Sequence, residues 1–215
     1  MLRFLSSIVS ALLISTAASR GEPEQLLWGD ESGQQVAAPW KWREMVADAW
    51  QLGGANLQMR SLPGNVWGGA RDLRNWLFRP VPQRGEISTE VTVSGAPQAE
   101  YEQAGLMWYA NDANYVKVMQ EWLNGKLVVN FVREEDDRPE IVATAPLAGD
   151  TVTLRLTLNA TEYAAEFRTR GDQPWQRLGA CKVLRSGVKQ AGVGTMQGVE
   201  NSGRWVTFSG FRISD

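Results

Sequence analysis

Polar and apolar residues alternate with a period of two through most of the chain after residue 40. In the segment TVTLRLTL, residues 151–158, every second residue is apolar, and in EISTEVTV, residues 86–93, Ile87, Val91 and Val93 alternate with polar residues. This period places successive side chains on opposite faces of a β-strand. Signals for strand–helix–strand units are absent, so adjacent antiparallel strands must cover one another. The stable arrangements for such strands are a two-sheet sandwich or a closed barrel.

Two turns divide the middle of the chain into predicted hairpins. The motif NDAN, residues 111–114, separates AGLMWYA from YVKVMQEW, and Asn124–Gly125 separates that strand from KLVVNFVRE. Asn-Gly between apolar runs is the strongest short hairpin signal. The segment WKWREMVADAW, residues 40–50, also fits helical spacing, so a helical turn and a strand both remain open there.

The first residues have the pattern of a secretory signal peptide. Arg3 precedes an apolar run from Phe4 to Ile14, and the small residues Ala17 and Ser19 follow it. A transmembrane helix needs about 20 apolar residues, so this run is short for a membrane anchor, which is the alternative reading. We therefore expect an exported protein, secreted or in the cell envelope, with no stable membrane insertion after cleavage.

The predicted organisation has three parts. They are a signal peptide at residues 1–19, a flexible lead-in at 20–39 and one β-sandwich domain at 40–215. A sandwich of this length buries a substantial core without disulfides or metals. The single cysteine, Cys181, cannot form an internal disulfide and is expected to pack as a small apolar residue.

The composition excludes several classes of chemistry. The chain has no histidine, which rules out histidine-based hydrolysis and histidine-ligated zinc. The net charge of −2 gives no basic footprint for nucleic acid. The acidic run Glu134–Asp137 is expected to be a solvated turn rather than a calcium site. No catalytic residue, metal ligand or cofactor is predicted, and the oligomeric state stays open.

Several motifs resemble a known family of domains. They are WKWRE, AWQL, NLQMRSLPGNVWGG, RNWLFRPVP, YEQAGLMWYANDANYVKVMQEW and GKLVVNFVREEDDRPE. They resemble the concanavalin A-like sandwich domains grouped as domain of unknown function 1349, and are similar to the C-terminal sandwich domain of some family 43 glycosidases. The resemblance implies a jelly-roll β-sandwich of two curved antiparallel sheets. The role it most often implies is carbohydrate binding.

Strand alternation also predicts a polar row that is suited to sugars. In YVKVMQEW, Lys117 and Glu121 share one face, and Val116 and Val118 share the other. Carboxylates and basic donors bracket sugar hydroxyls, and aromatic rings stack on sugar C–H faces. The predicted ligand-binding residues, on a concave polar sheet face and in two loops, are Glu90, Tyr109, Lys117, Glu121, Arg155, Trp67 and Trp76. The alternatives are a solvated sheet face, and core positions for the tryptophans.

Three functions follow from these patterns. The first is an exported, non-catalytic domain that binds a glycan or polysaccharide. The second is a glycoside hydrolase that uses Glu90 and Glu121, although Lys117 and Arg155 nearby would hold both carboxyls ionised. The third is a structural or protein-interaction domain of the cell envelope.

Overall fold

The computed structural model describes residues 24–25, 28–30, 32–83 and 85–214, and the predicted signal peptide lies outside them. The described chain forms fifteen β-strands and one 3-10 turn, Trp67–Gly69. The first eight strands are β1 (Glu24–Gln25), β2 (Lys41–Arg43), β3 (Trp50–Gly53), β4 (Asn56–Arg60), β5 (Trp76–Pro80), β6 (Ile87–Ser94), β7 (Gln103–Asn111) and β8 (Asn114–Leu123). The others are β9 (Lys126–Glu135), β10 (Arg138–Pro146), β11 (Thr151–Leu158), β12 (Glu162–Arg168), β13 (Gln176–Lys182), β14 (Gln190–Met196) and β15 (Trp205–Ser214).

The strands form two antiparallel sheets that pack as a sandwich. The first sheet has the order β13-β12-β11-β6-β15-β4-β3, with β1 also paired to β15. The second sheet has the order β10-β9-β8-β7-β14-β5-β2. The prediction of an all-β, concanavalin A-like sandwich is therefore confirmed.

The main core lies between the sheets at the positions that alternation indicates. Val116 and Val118 of β8 are buried there opposite Leu154 and Leu156 of β11. Trp108 is also fully buried, and its indole N–H donates to the Thr89 hydroxyl at 2.6 Å. This bond satisfies a polar atom that would otherwise be costly to bury.

The turn between β8 and β9 has the hairpin geometry that the sequence predicts. Asn124 and Gly125 both have positive φ, 52° and 72°, which is the requirement of a type I′ hairpin turn between β8 and β9.

Residues 40–50 form no helix. Strand β2 pairs with β5, and the ring of Trp42 packs 5.0 Å from that of Trp50.

The lead-in contributes to the core at one position at least. Trp28 is 1% exposed, and its ring lies 4.8 Å from Trp40 and 5.5 Å from Phe211. The prediction of a flexible lead-in is therefore wrong at Trp28, because a large aromatic ring gains too much by burial to remain outside the sandwich.

The outer face of the second sheet is covered by residues 62–75, which we call the strap. A second apolar cluster lies between strap and sheet, formed by Val66, Leu73, Trp76, Phe78, Met107, Tyr109, Tyr115, Met119, Val132 and Met196. Strands β7 and β8 are consequently buried on both faces over most of their length. The sheet face that was expected to be polar and open is therefore largely covered.

Candidate functional site

The structure divides the predicted polar row between the two sheets. Glu90 and Arg155 are opposite each other on β6 and β11 of the first sheet, whereas Tyr109, Lys117 and Glu121 lie on the second sheet. The prediction of one face holding all five is therefore wrong, because alternation assigns a side chain to a face of its own strand and does not say which sheet the strand joins.

The carboxyl pair of the hydrolase alternative is separated by the same division. Glu90 lies beside Arg212, with 3.7 Å between Oε1 and Nη1, on the outer face of the first sheet. Glu121 faces outward from the second sheet. Stacked sheets are about 10 Å apart, so two side chains that point away from each other exceed the spacing of a glycosidase pair, about 5–10 Å.

Tyr109 and Trp76 have structural partners beneath and beside the strap. The Tyr109 hydroxyl donates to Asp112 at 2.7 Å, and Asp112 also accepts a bond from Arg43 at 2.7 Å. Burial raises the pKa of the Tyr109 hydroxyl above its ordinary value. Trp76 is fully buried, and its indole N–H donates to the Thr195 carbonyl at 3.1 Å. Neither ring lines the cleft described next.

A cleft of about 350 Å³ opens beside the strap on the outer face of the second sheet. Its lining residues are Asn65, Trp67, Tyr101, Gln103, Glu121, Leu123, Asn130, Ile141 and Gln197. Trp67, Tyr101 and Ile141 are 39%, 50% and 49% exposed, so large apolar side chains surround the opening. Of the residues predicted from sequence, Trp67 and Glu121 lie in this cleft.

The floor of the cleft is a buried carboxylate held by two amides. Gln103 donates from Nε2 to Glu121 Oε1 at 3.0 Å, and Asn130 donates from Nδ2 to Glu121 Oε2 at 2.7 Å. A carboxylate oxygen accepts two hydrogen bonds and an amide nitrogen donates two. Each Glu121 oxygen therefore keeps one acceptor position, and each amide one N–H, that no partner occupies among the residues described.

Lys117 and Thr144 fix the orientation of these amides from behind. Lys117 Nζ donates to Gln103 Oε1 at 2.8 Å, and the Thr144 hydroxyl donates to Asn130 Oδ1 at 3.0 Å. Because both amide oxygens are occupied by donors, both amide nitrogens must turn toward Glu121. Burial raises the pKa of Glu121 above its ordinary value, and the bonds from Asn130 and Gln103 and the charge of Lys117 only partly offset this rise.

Lys117 is itself sealed from solvent. The residue is 1% exposed, and its Nζ lies 5.6 Å from the centre of the Tyr115 ring, within cation–π range. Burial lowers the pKa of Lys117 to about 8, against the charges of Glu121 and Glu134. The predicted role of Lys117 as a direct ligand contact is therefore not supported by its position, which is behind Gln103.

Glu134 anchors the strap that carries Trp67. It accepts the Tyr115 hydroxyl at 2.6 Å and the Gly68 backbone N–H at 3.1 Å. Gly68 has a φ of 60°, which glycine adopts at little cost. Glu134 was expected in a solvated turn but is fully buried; Asp136 and Asp137, which follow it, are exposed at the turn.

Glu102 anchors the turn that carries Tyr101 at the rim of the cleft and Gln103 on its floor. Its carboxylate accepts N–H bonds from Gln98 at 2.7 Å and from Arg204 Nε at 2.8 Å, and also accepts the Ser61 hydroxyl. Tyr101 has a φ of 66°, a conformation that a non-glycine residue rarely adopts without support. The anchored turn thus fixes the rim ring on one side of Glu102 and the floor amide on the other.

Glu102→Gln should reduce the stability of the domain and weaken its dependence on acid pH. Burial raises the pKa of Glu102, but the bonds from Gln98, Ser61 and Arg204 outweigh it, so the folded pKa lies below 4.5. The stabilisation is present above the unfolded value and is lost as pH falls through the folded one. Urea unfolding between about pH 3 and 7 measures this, with the exposed Glu86→Gln as control. If the free energy of unfolding falls equally steeply with acid pH in wild type and in Glu102→Gln, the lowered pKa of Glu102 does not contribute to stability.

Sequence reasoning missed Tyr101, Gln103 and Asn130. The alternation that places Met107 and Tyr109 on one face of β7 places Gln103 on the same face. Asn130 is a polar residue within an apolar strand, β9. Those two signals were available from alternation. Nothing local marks Tyr101, because its backbone depends on an ion pair between residues 102 and 204.

The fold is similar to one part of several longer proteins of known structure. A GH43 protein from Bacillus licheniformis is 16% identical with a TM-score of 0.73, covering 86% of this chain and 39% of that one. A xylan beta-1,4-xylosidase from Bacillus halodurans is 16% identical with a TM-score of 0.73, covering 97% of this chain and 42% of that one. The chain therefore spans about two-fifths of the length of these two proteins.

A family model identifies the chain itself. Residues 70–215 match the model described as protein of unknown function (DUF1349), and the chain belongs to that family. A functionally unknown protein from Saccharomyces cerevisiae has the same fold, with 17% identity, a TM-score of 0.63 and coverage of 81% of this chain and 94% of that one. No curated protein matches the sequence. Across the described residues, no helix has the length and apolar character of a membrane span.

Proposed function

We propose that the protein is an exported, non-catalytic domain that binds carbohydrate in the cleft. The observation that carries the proposal is the pair of exposed rings, Trp67 and Tyr101, beside a buried floor of Glu121 and two amides. Aromatic rings stack on the C–H faces of sugars, and a floor with free donors and acceptors matches their hydroxyl groups. The signal-peptide pattern at residues 1–19 supports export.

The carboxyl groups of this face favour binding over hydrolysis. Within the described part of the chain, Glu121 is the only acidic residue that lines the cleft. Glu134 faces the same side but pairs with Tyr115, six positions along β8 from Glu121. At about 3.3 Å per residue the two backbone positions are about 20 Å apart. The Glu134 carboxylate is also already bonded to the Tyr115 hydroxyl and the Gly68 N–H. The xylosidase activity named for one structural neighbour is therefore not proposed for this domain.

A glycan array tests the proposal. Wild type should bind at least one glycan, and Trp67→Ala and Tyr101→Ala should each lower the affinity by about tenfold or more, equivalent to about 1.4 kcal/mol. The stability of both variants should change by about 1 kcal/mol or less, because both side chains lie on the surface.

Trp205→Ala is the matched control, since Trp205 is 36% exposed on the first sheet and is not among the residues that line the cleft. Binding that survives both Trp67→Ala and Tyr101→Ala would place the ligand elsewhere. An array with no hits would replace the proposal with a protein-interaction domain of the cell envelope.

A further inference from the structure

We infer that the cleft accepts saccharides without acidic groups, presenting two neighbouring hydroxyl donors, and discriminates against uronic or sulfated sugars. This inference rests on the proposed function and adds the class of ligand to it.

The described lining of the cleft carries negative charge. Among the residues that the structure describes, Glu121 is the only charged one that lines the cleft, and no described lysine or arginine does. The cation closest to the floor in the network, Lys117, is 1% exposed and bonds to the far side of Gln103. A ligand in the cleft therefore meets the carboxylate directly and the ammonium only through the Gln103 amide.

Other cations near the walls are already committed to carboxylates. Arg204 Nη2 lies 2.6 Å from Glu102 Oε1, behind the Tyr101 wall. On the strap, Arg71 Nη2 lies 2.7 Å from Asp137 Oδ1. An acidic sugar would thus find no lining cation to neutralise it, and it would be repelled at a partly desolvated site where charges interact more strongly than in water.

The hydrogen-bond directions favour hydroxyl donors on the ligand. Every group in contact with Glu121 donates to it, and the two amide oxygens are taken by Lys117 and Thr144. No acceptor is left in this network for a proton on Glu121, so the arrangement suits the ionised carboxylate. The remaining acceptor position on each oxygen requires a donor, which a hydroxyl supplies and a carboxylate does not.

Two neighbouring sugar hydroxyls satisfy this floor completely. Each hydroxyl donates to one Glu121 oxygen and accepts the spare N–H of Gln103 or Asn130, so all the free positions are used at once. Hydrogen bonds to an ionised acceptor are about twice as strong as neutral ones. The cleft volume of about 350 Å³ lies at the small end of ligand pockets, which suits a short stretch of sugar rather than a large ligand.

The test compares matched neutral and acidic oligosaccharides by calorimetry. The probes are mannan against mannuronan, glucan against glucuronan, and unsubstituted xylan oligosaccharides as a further neutral series. Wild type should bind a neutral member at least about tenfold more tightly than its acidic counterpart. Glu121→Gln should weaken the binding of the neutral member, because a neutral amide accepts weaker hydrogen bonds than a carboxylate. It should also bring the affinities for the neutral and acidic members to within about threefold of each other, because it removes the charge that repels the acidic sugar. Glu90→Gln, on the opposite sheet, should behave as wild type.

The outcomes distinguish a failure of this inference from a failure of the proposed carbohydrate binding. Equal or tighter binding of the acidic member by wild type, with affinity still lowered by Trp67→Ala, overturns the inference alone. A neutral preference that Glu121→Gln leaves unchanged also overturns it, because the floor charge is then not the cause. Absence of binding to every probe, or binding indifferent to Trp67→Ala, overturns the proposed function and the inference with it. The wild-type comparison stands even if Glu121→Gln fails to fold.

Discussion

Gly105→Ala should destabilise the domain by about 3 kcal/mol. Gly105 lies on β7, and a Cβ at this position would sit 2.4 Å from the carbonyl oxygen of Val118 and 2.8 Å from Cα of Met119. Both atoms belong to the backbone of β8, which is buried on both faces and cannot shift cheaply. Inserting a methyl group into a packed core typically costs about 1–3 kcal/mol, and backbone obstacles place this site at the upper end.

Urea unfolding measures the effect, and Gly53→Ala provides the matched control. Gly53 is also a strand glycine, but a Cβ there meets nothing within 4 Å. The control should be neutral or slightly stabilising, because alanine loses less backbone entropy than glycine on folding. A loss of less than about 1 kcal/mol for Gly105→Ala would show that β7 and β8 adjust more easily than the packing indicates.

Glu134→Ala should destabilise the domain by about 3 kcal/mol and loosen the strap. The change removes the acceptor of the Gly68 N–H and leaves the buried Tyr115 hydroxyl with the more distant Val66 carbonyl, at 3.4 Å. It also removes one of the two carboxylates whose charges offset the burial of Lys117. Each unsatisfied buried polar group costs about 1–3 kcal/mol, and a buried charge without its partner costs more.

Limited proteolysis and urea unfolding together measure this second effect. Cleavage within residues 62–75 should become faster, and glycan affinity should fall, because the strap holds Trp67 at the rim of the cleft. Glu134→Gln should recover part of the stability, since its amide oxygen still accepts a hydrogen bond. Glu140→Ala, an exposed position on β10, is the control and should match wild type. An intact strap in Glu134→Ala would contradict the anchor role.

Sequence alternation predicted the strands and most of the core, and the reason is local. Val116, Val118, Leu154 and Leu156 are buried because a strand between two environments must alternate. The turn at Asn124 was equally predictable, because its backbone geometry selects its residues. These features depend on neighbours along the chain.

The site was less predictable because it depends on distant partners. Glu90 and Arg155 match the polar face of their own strands, yet the pairing order puts them on the opposite sheet from Glu121. The strap covers a face that alternation treats as solvated, although Met107 and Met119 on that face were a sign of cover.

The structural neighbours show the fold and do not fix a function. The structural neighbours share about one residue in six with this chain, at 16–17% identity, and that level of similarity concerns architecture. The functional claim therefore depends on the cleft, where exposed rings and a buried hydrogen-bonding floor occur together.

The most direct measurement is a nuclear magnetic resonance titration with the glycan selected on the array. If the glycan binds in the cleft, the side-chain amide signals of Gln103 and Asn130 and the indole N–H signal of Trp67 shift on binding. The indole of Trp175, which lies 4.0 Å from the Arg155 guanidinium on the first sheet, should not move. Shifts confined to Trp175 and its neighbours, with the cleft signals unchanged, would contradict the account.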